Sequence, residues 1–217
     1  MILKYEFCNM NVLLVAATEL EIKPLLTQNE KTEILITGVG IPNTTYQLTN
    51  KLAETNYDLV IQAGIAGTFD EQILKGSVVL IKQDTFGDLG MEEKETFKTL
   101  FETGFAQPND FPFRDGWLLN ENKYLSNQTL RVVNGITVNK ITDDEKIIKR
   151  MVEKFSPDIE SMEGAAFHFV CLQQKVNFLQ VRSISNIVGD RDKKNWQMKD
   201  AIGNLSIELK KILKIFS

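Results

Sequence analysis

Apolar, β-branched runs recur along the chain at 12–17, 33–37, 59–64, 77–82, 130–138 and 177–185. Several are nearly continuous in apolar residues, which is the pattern of strands covered on both faces. Between them the period changes to that of a helix. Residues 143–155 place Ile147, Ile148, Met151, Val152 and Phe155 on one stripe, with Asp143 as the expected cap. Residues 199–216 do the same with Leu205, Leu209, Ile212, Leu213 and Phe216. Strands alternating with helices predict an α/β fold with helices on both faces of a sheet. Too little chain separates 59–64 from 77–82 for a substantial helix, so part of the sheet is expected to be antiparallel. The stretch 86–121 differs, being rich in Gly, Pro, Asp and aromatics, with only a weak helical pattern at 91–103. Long loops of this kind inside a domain are often functional. With no repeat or linker in the sequence, 10–217 reads as one domain and 1–9 as an N-terminal appendage.

Composition narrows the function classes. The chain has 217 residues, with 25 Lys+Arg against 29 Asp+Glu and a net charge of −4. That balance, with no basic run, argues against a nucleic-acid binder. His168 is the sole histidine, which excludes sites that need several imidazoles. Cys8 and Cys171 form neither a metal-spaced cluster nor a disulfide framework. Residues 1–9 include Lys4, Glu6 and Cys8 and lack the apolar core of a secretory signal. No apolar run approaches the roughly 20 residues that span a bilayer. The expectation is a soluble, cytoplasmic domain that uses no metal and docks on no membrane.

Four segments, all at expected strand ends, could carry chemistry. In Ala16-Ala17-Thr18-Glu19-Leu20-Glu21-Ile22 a buried strand runs into two carboxylates, which by spacing alone also suit a helix start. Thr37-Gly38-Val39-Gly40-Ile41-Pro42 and Ala63-Gly64-Ile65-Ala66-Gly67 place glycines where a ligand could approach the backbone, or where the chain simply turns. The first lacks the third glycine of a dinucleotide fingerprint, and neither has the Lys-Ser/Thr of a phosphate loop. The fourth is Asp158-Ile159-Glu160-Ser161-Met162-Glu163-Gly164-Ala165-Ala166, followed by Gln180-Val181-Arg182-Ser183-Ile184-Ser185-Asn186. Glu163 precedes small residues that let a helix approach its neighbours. Arg182 lies inside an apolar strand, where a charge needs a partner. A structural ion pair would satisfy both.

Taken together, these segments resemble the nucleoside phosphorylase/hydrolase superfamily, in its nucleosidase branch, from about Asn11 to the C-terminus. Within that branch Phe86-Gly87-Asp88-Leu89-Gly90, Ser161-Met162-Glu163-Gly164-Ala165-Ala166 and Ile184-Ser185-Asn186 look most like the futalosine hydrolases. The resemblance implies a three-layer α/β/α fold around a mixed sheet, a homodimer or larger homo-oligomer, no cofactor and a small nucleoside substrate. It places Glu21 where the branch activates water and Met162 and Glu163 at the ribose. It places Ser185 and Asn186 at the purine, Arg182 beside these groups, and Ile65, Ala66 and Gly67 as the pocket wall.

Asn186 is the informative departure, because adenine-releasing members of the branch carry aspartate there. A carboxamide can donate to N7 or to a 6-oxo oxygen, whereas an ionised carboxylate would set acceptor against acceptor. Asn186 therefore favours a 6-oxopurine such as hypoxanthine, and leaves the leaving group's proton to Asp190, Asp192 or solvent. A phosphorolytic site would need arginines or a nest of amides for a dianion. The Thr18–Glu21 segment and the strand before Ala63 supply no arginine, and Glu21 would repel phosphate. The expected reaction is futalosine hydrolysis. Its rivals are a methylthioadenosine/S-adenosylhomocysteine-type nucleosidase, a purine nucleoside phosphorylase and a nucleoside-binding protein without catalysis. His168 and Cys171 read as buried packing. Phe111, Phe113 and Trp117 read as core or loop packing, or as residues of the pocket mouth or a subunit interface. Asp88, between two glycines, has no assigned role.

Overall fold

The structure, a computed structural model, describes residues 10–26, 32–126 and 129–216. The appendage expected at 1–9 lies outside them. The strands are β1 (Val12–Ala16), β2 (Glu33–Ile36), β3 (Leu59–Thr68), β4 (Val78–Asp84), β5 (Gly90–Glu93), β6 (Thr96–Thr99), β7 (Leu118–Leu119), β8 (Arg131–Thr137), β9 (Ile159–Ser161) and β10 (Phe178–Ile187). The helices are α1 (Glu19–Leu26), α2 (Ile41–Glu54), α3 (Lys123–Ser126), α4 (Glu145–Phe155), α5 (Gly164–Gln173) and α6 (Met198–Phe216).

The nearly continuous apolar runs have the expected cause. Along β1, Val12, Leu14 and Ala16 pack with α1 and α6 through Ile22, Leu25, Leu205, Leu209, Ile212 and Phe216. The alternate residues Leu13 and Val15 pack the other way, with Leu48 of α2 and Phe167, Val170 and Cys171 of α5. Both faces of the sheet are therefore covered, giving three layers.

The main sheet is mixed, in the order β10-β4-β8-β9-β3-β1-β2, with β7 on β4. An additional β10–β3 pairing closes β10-β4-β8-β9-β3 into a ring. β3 and β4 are not neighbours. β10 lies between them, parallel to β3 and antiparallel to β4, and β9 is antiparallel to β3. Ala63-Gly64-Ile65-Ala66-Gly67 is thus strand rather than turn, because β9 and β10 pair with β3 as far as Thr68.

Two local expectations are corrected. The weak helix at 91–103 is a hairpin of β5 and β6, closed at Lys94-Glu95, where φ is 49° and 63°. Two consecutive positive φ values suit the tight turn that joins antiparallel strands, and Thr96-Phe97-Lys98-Thr99 has the β-branched and aromatic content of a strand. The cap of α4 is Asp144, not Asp143. Its Oδ1 accepts from the N–H groups of Lys146 (2.9 Å) and Ile147 (3.4 Å).

Candidate active site

The candidate site begins at the C-terminal end of β1, where the chain turns into α1. Glu21, in the first turn of α1, is 7% exposed. Its Oε2 accepts from the Thr18 N–H (3.0 Å) and Oγ1 (3.1 Å), the back-bond of a capping box. Its Oε1 accepts from the Ile65 N–H at 3.1 Å, so β3 fixes the carboxylate from the other side. The helix-start reading of Glu21 therefore holds, and the same residue lines the site's cleft.

Gly64 explains how the charges converge. A Cβ there would overlap Arg182 Nη1 and stand 2.8 Å from Glu21 Oε1, so only glycine leaves room for both. Arg182 is 1% exposed; its Nη2 donates to Gln62 Oε1 at 2.7 Å and its Nη1 lies 3.6 Å from Glu163 Oε2. Glu163, at the start of α5, is 5% exposed, and its Oε1 accepts from the Gly40 N–H at 3.1 Å. Gly38 and Gly40 have φ of 85° and 93°, so the glycine loop after β2 uses backbone freedom to deliver that N–H. Burial pushes the Glu163 carboxyl above its ordinary range; Arg182 and the Gly40 N–H oppose this and Glu21 adds to it. Arg182 thus pairs with Glu163 in a buried setting, while Glu21, held by Thr18 and Ile65, also stands beside Gly64.

The opposite wall is the end of β10. Its register against β3 shifts between Ile184 and Asn186, leaving Ser185 as an irregularity of the kind often found beside functional sites. Ser185 Oγ lies 2.8 Å from Asn186 Oδ1 and 3.2 Å from the Ala66 carbonyl, and Asn186 Nδ2 donates to the Ile187 carbonyl at 2.9 Å. A cleft of about 290 Å³ joins these groups. Glu21, Ile65, Ala66, Gly67, Met162, Glu163, Ser185 and Asn186 all line it, and Arg182 stands behind them. The cleft also takes in residues the sequence reading gave no role, among them Glu160, Ile141, Arg191 and Trp196. Glu160 was visible only as a charge inside the buried strand Ile159–Ser161. Of the candidate proton donors Asp190 lines the cleft, while Asp192 Oδ1 caps the short 3₁₀ turn Lys193–Asn195 through the Lys194 N–H.

Asp88 now has a structural role. Its Oδ2 accepts from the N–H groups of Asn139 (2.7 Å) and Lys140 (3.3 Å), and its Oδ1 from Asn139 Nδ2 (3.1 Å), clamping the loop that carries Ile141 into the cleft. Phe113 and Trp117 line a separate cavity of about 530 Å³ with Phe101 and Phe155, and Phe111 is exposed. His168 and Cys171 are fully buried. His168 Nδ1 donates to the Leu118 carbonyl at 2.9 Å, and burial pushes its imidazole down to about 4, so it stays neutral near neutrality. Among the described residues no group of three or more His, Cys, Asp or Glu could hold a metal ion, and no helix is long and apolar enough to cross a membrane.

Behind the site, Asp84 is fully buried, accepting from Thr137 Oγ1 (2.9 Å) and Gln180 Nε2 (3.2 Å). A Cβ on Gly164 would overlap both Asp84 Oδ2 and Gln180 Nε2, so glycine is what lets α5 begin here with Glu163 at the cleft. Burial pushes the Asp84 carboxyl up to about 7. A folded-state value above the unfolded one means that protonation favours the fold. That stabilisation is complete below the unfolded value and lost as pH rises through about 7. Asp84→Asn should therefore gain on wild type by about 1 kcal/mol between about pH 6 and pH 8, or about 2–4 °C in Tm. Thermal melts of both proteins across that range check this; a constant difference would show Asp84 already ionised at the lower pH.

A sequence model of the phosphorylase superfamily matches residues 14–217, and the chain belongs to that superfamily. Among individual proteins, the chain is 28% identical over 182 residues to the futalosine hydrolase of Thermus thermophilus, covering 82% of this chain and 80% of the relative. It is also 28% identical over 178 residues to the futalosine hydrolase of Acidothermus cellulolyticus, covering 80% and 71%. Its fold is similar to that of a 5′-methylthioadenosine/S-adenosylhomocysteine nucleosidase from Colwellia psychrerythraea in complex with adenine. The TM-score is 0.78 at 19% identity, over 97% of each chain.

Proposed function

We propose that the chain is an N-glycosyl hydrolase that splits futalosine into hypoxanthine and dehypoxanthine futalosine, a step of menaquinone biosynthesis. The observation that carries this reading is the convergence of Glu21, Arg182 and Glu163 around Gly64, with Asn186 on the same cleft. The two futalosine hydrolase relatives support the choice of nucleoside.

Cleavage of the bond develops oxocarbenium character on the ribose and negative charge on the departing purine. Glu21 takes the proton of the attacking water, a role that contributes about 10²–10⁴-fold. Glu163 accepts from the sugar hydroxyls, and Met162 packs beneath the ribose. Arg182 touches neither reactant; it holds the carboxylates in place, so that the ribose is fixed before attack. Asn186, steadied by Ser185 Oγ, donates to the purine edge as its charge grows, which stabilises the transition state more than the ground state. Ile65, Ala66 and Gly67 wall the cleft, and the absence of a Cβ at Gly67 leaves room for Val188 and Asn186.

Water rather than phosphate is the nucleophile. The arginine nearest Glu21 is already engaged by Gln62 and Glu163, and Glu21 itself would repel a dianion. In water enriched in ¹⁸O the label should enter the released sugar at C1, and added phosphate should not speed base release. A sugar 1-phosphate among the products would move the chain to the phosphorylases. The family resemblance also supports a homodimeric or larger enzyme of the cytoplasm that needs no cofactor; light scattering of the purified protein reads its oligomeric state.

A further inference from the structure

β3 is flanked at Gly67 by two polar side chains that the base could meet. Gly67 is in register with Asn186 of β10 on one side and with Glu160 of β9 on the other. Register partners project to the same face of a sheet, and adjacent strands lie about 4.8 Å apart, so the two backbones stand about 10 Å apart with Gly67 between them. That separation is wide enough for a flat ring to meet both side chains from the cleft. Val188 Cγ2 and Asn186 Nδ2 are 3.0 Å and 3.3 Å from where a Gly67 Cβ would be, so both lean over that glycine, and Asn186, Val188 and Glu160 all line the cleft.

Glu160 is 6% exposed, and its Oε2 is buried with no hydrogen-bond partner among the described residues. Leaving a buried acceptor unmet is costly unless a ligand supplies the donor. We propose that Glu160 accepts the N1–H of a 6-oxopurine, so that Glu160 and Asn186 read its 6-oxo edge from both sides. The inference rests on the 6-oxopurine reading of the site and adds a second residue to it.

The chemistry of the edge is specific. A 6-oxopurine presents, in sequence, the N7 acceptor, the O6 acceptor and the N1–H donor. A carboxamide N–H on one side and a carboxylate on the other match that order. A 6-aminopurine has a lone pair at N1, which would face the carboxylate acceptor to acceptor. Burial, with the charge of Asp88 adding and that of Arg191 opposing, pushes the Glu160 carboxyl up to about 7. Above about pH 7 it is a carboxylate without a partner at Oε2 among the described residues, and the N1–H of the ligand supplies that donor.

The test measures affinities of hypoxanthine, adenine and 1-methylhypoxanthine for wild type and Glu160→Gln, with thermal melts to verify folding. Wild type should bind hypoxanthine at least about tenfold more tightly than 1-methylhypoxanthine, which lacks the N1–H. In Glu160→Gln, whose amide can also donate to N1 of adenine, the hypoxanthine-to-adenine affinity ratio should fall by at least about tenfold. A folded variant whose ratio stays within about twofold of wild type overturns the role of Glu160 and leaves the hydrolase reading intact. If the variant does not fold, wild type alone decides: equal affinity for hypoxanthine and 1-methylhypoxanthine overturns the proposal. Wild type preferring adenine would overturn the 6-oxopurine reading itself, and the role of Glu160 with it.

Discussion

Glu21→Gln is expected to lower kcat by about 10²-fold or more while leaving the fold and the affinity for the free base nearly unchanged. Glutamine keeps the length of the side chain and a carbonyl that can still accept from the Thr18 or Ile65 N–H. What it loses is the ability to take a proton from water as the glycosidic bond breaks. Base affinity should persist because the residues proposed to read the purine, Asn186 and Glu160, stand on β10 and β9, whereas Glu21 meets β3 at Ile65. The contrast between kcat and base affinity separates a missing general base from a damaged pocket. Near-normal turnover in the variant would remove Glu21 from the mechanism and leave its hydrogen bonds as helix-capping alone.

Asn186→Asp is the second large effect. In wild type the carboxamide is oriented by Ser185 Oγ and the Ile187 carbonyl, and in the proposed reading it offers a donor to the purine. An ionised aspartate offers only acceptors, and facing N7 and O6 it would leave two acceptors opposed. Such a mismatch costs about 1–3 kcal/mol, or about ten- to a hundredfold in selectivity. Hydrolysis of a 6-oxopurine nucleoside by the variant should fall at neutral pH and partly recover on acidification, as the carboxyl regains a proton it can donate. Profiles of kcat/KM against pH for both proteins check this. Unchanged selectivity would show that residue 186 does not read the base.

The layers of the fold were legible because β1, β3 and β10 are buried on both faces, so β1 is wholly apolar and β3 and β10 are largely so. The α6 stripe was legible because Leu205, Leu209, Ile212, Leu213 and Phe216 all face the sheet. The hairpin at 90–99 was not. Its identity is set by two positive φ values at Lys94 and Glu95, residues that carry no turn signature of their own. Nor could one-dimensional spacing show that β10 inserts between β3 and β4 to close the ring, which is a long-range pairing.

In the site, Glu21, Glu163 and Arg182 stood out as charges in apolar surroundings, yet their meeting point at Gly64 depends on three separate elements converging. Asp88 was conspicuous for its flanking glycines, but its function as a clamp appears only once Asn139 is brought beside it. Glu160 carries no signal of its own in the sequence, because a single charge in a three-residue strand has no periodicity against which to stand out. Its register opposite Asn186 across Gly67 is a property of the sheet.

The most direct measurement offers wild-type protein equal amounts of futalosine and methylthioadenosine in one reaction and follows the free bases released. Hypoxanthine should appear first and adenine lag by at least about tenfold, the difference that a donor at Asn186 implies. Adenine released first, or neither base released by folded protein, would contradict the assignment of this site as a 6-oxopurine nucleoside hydrolase.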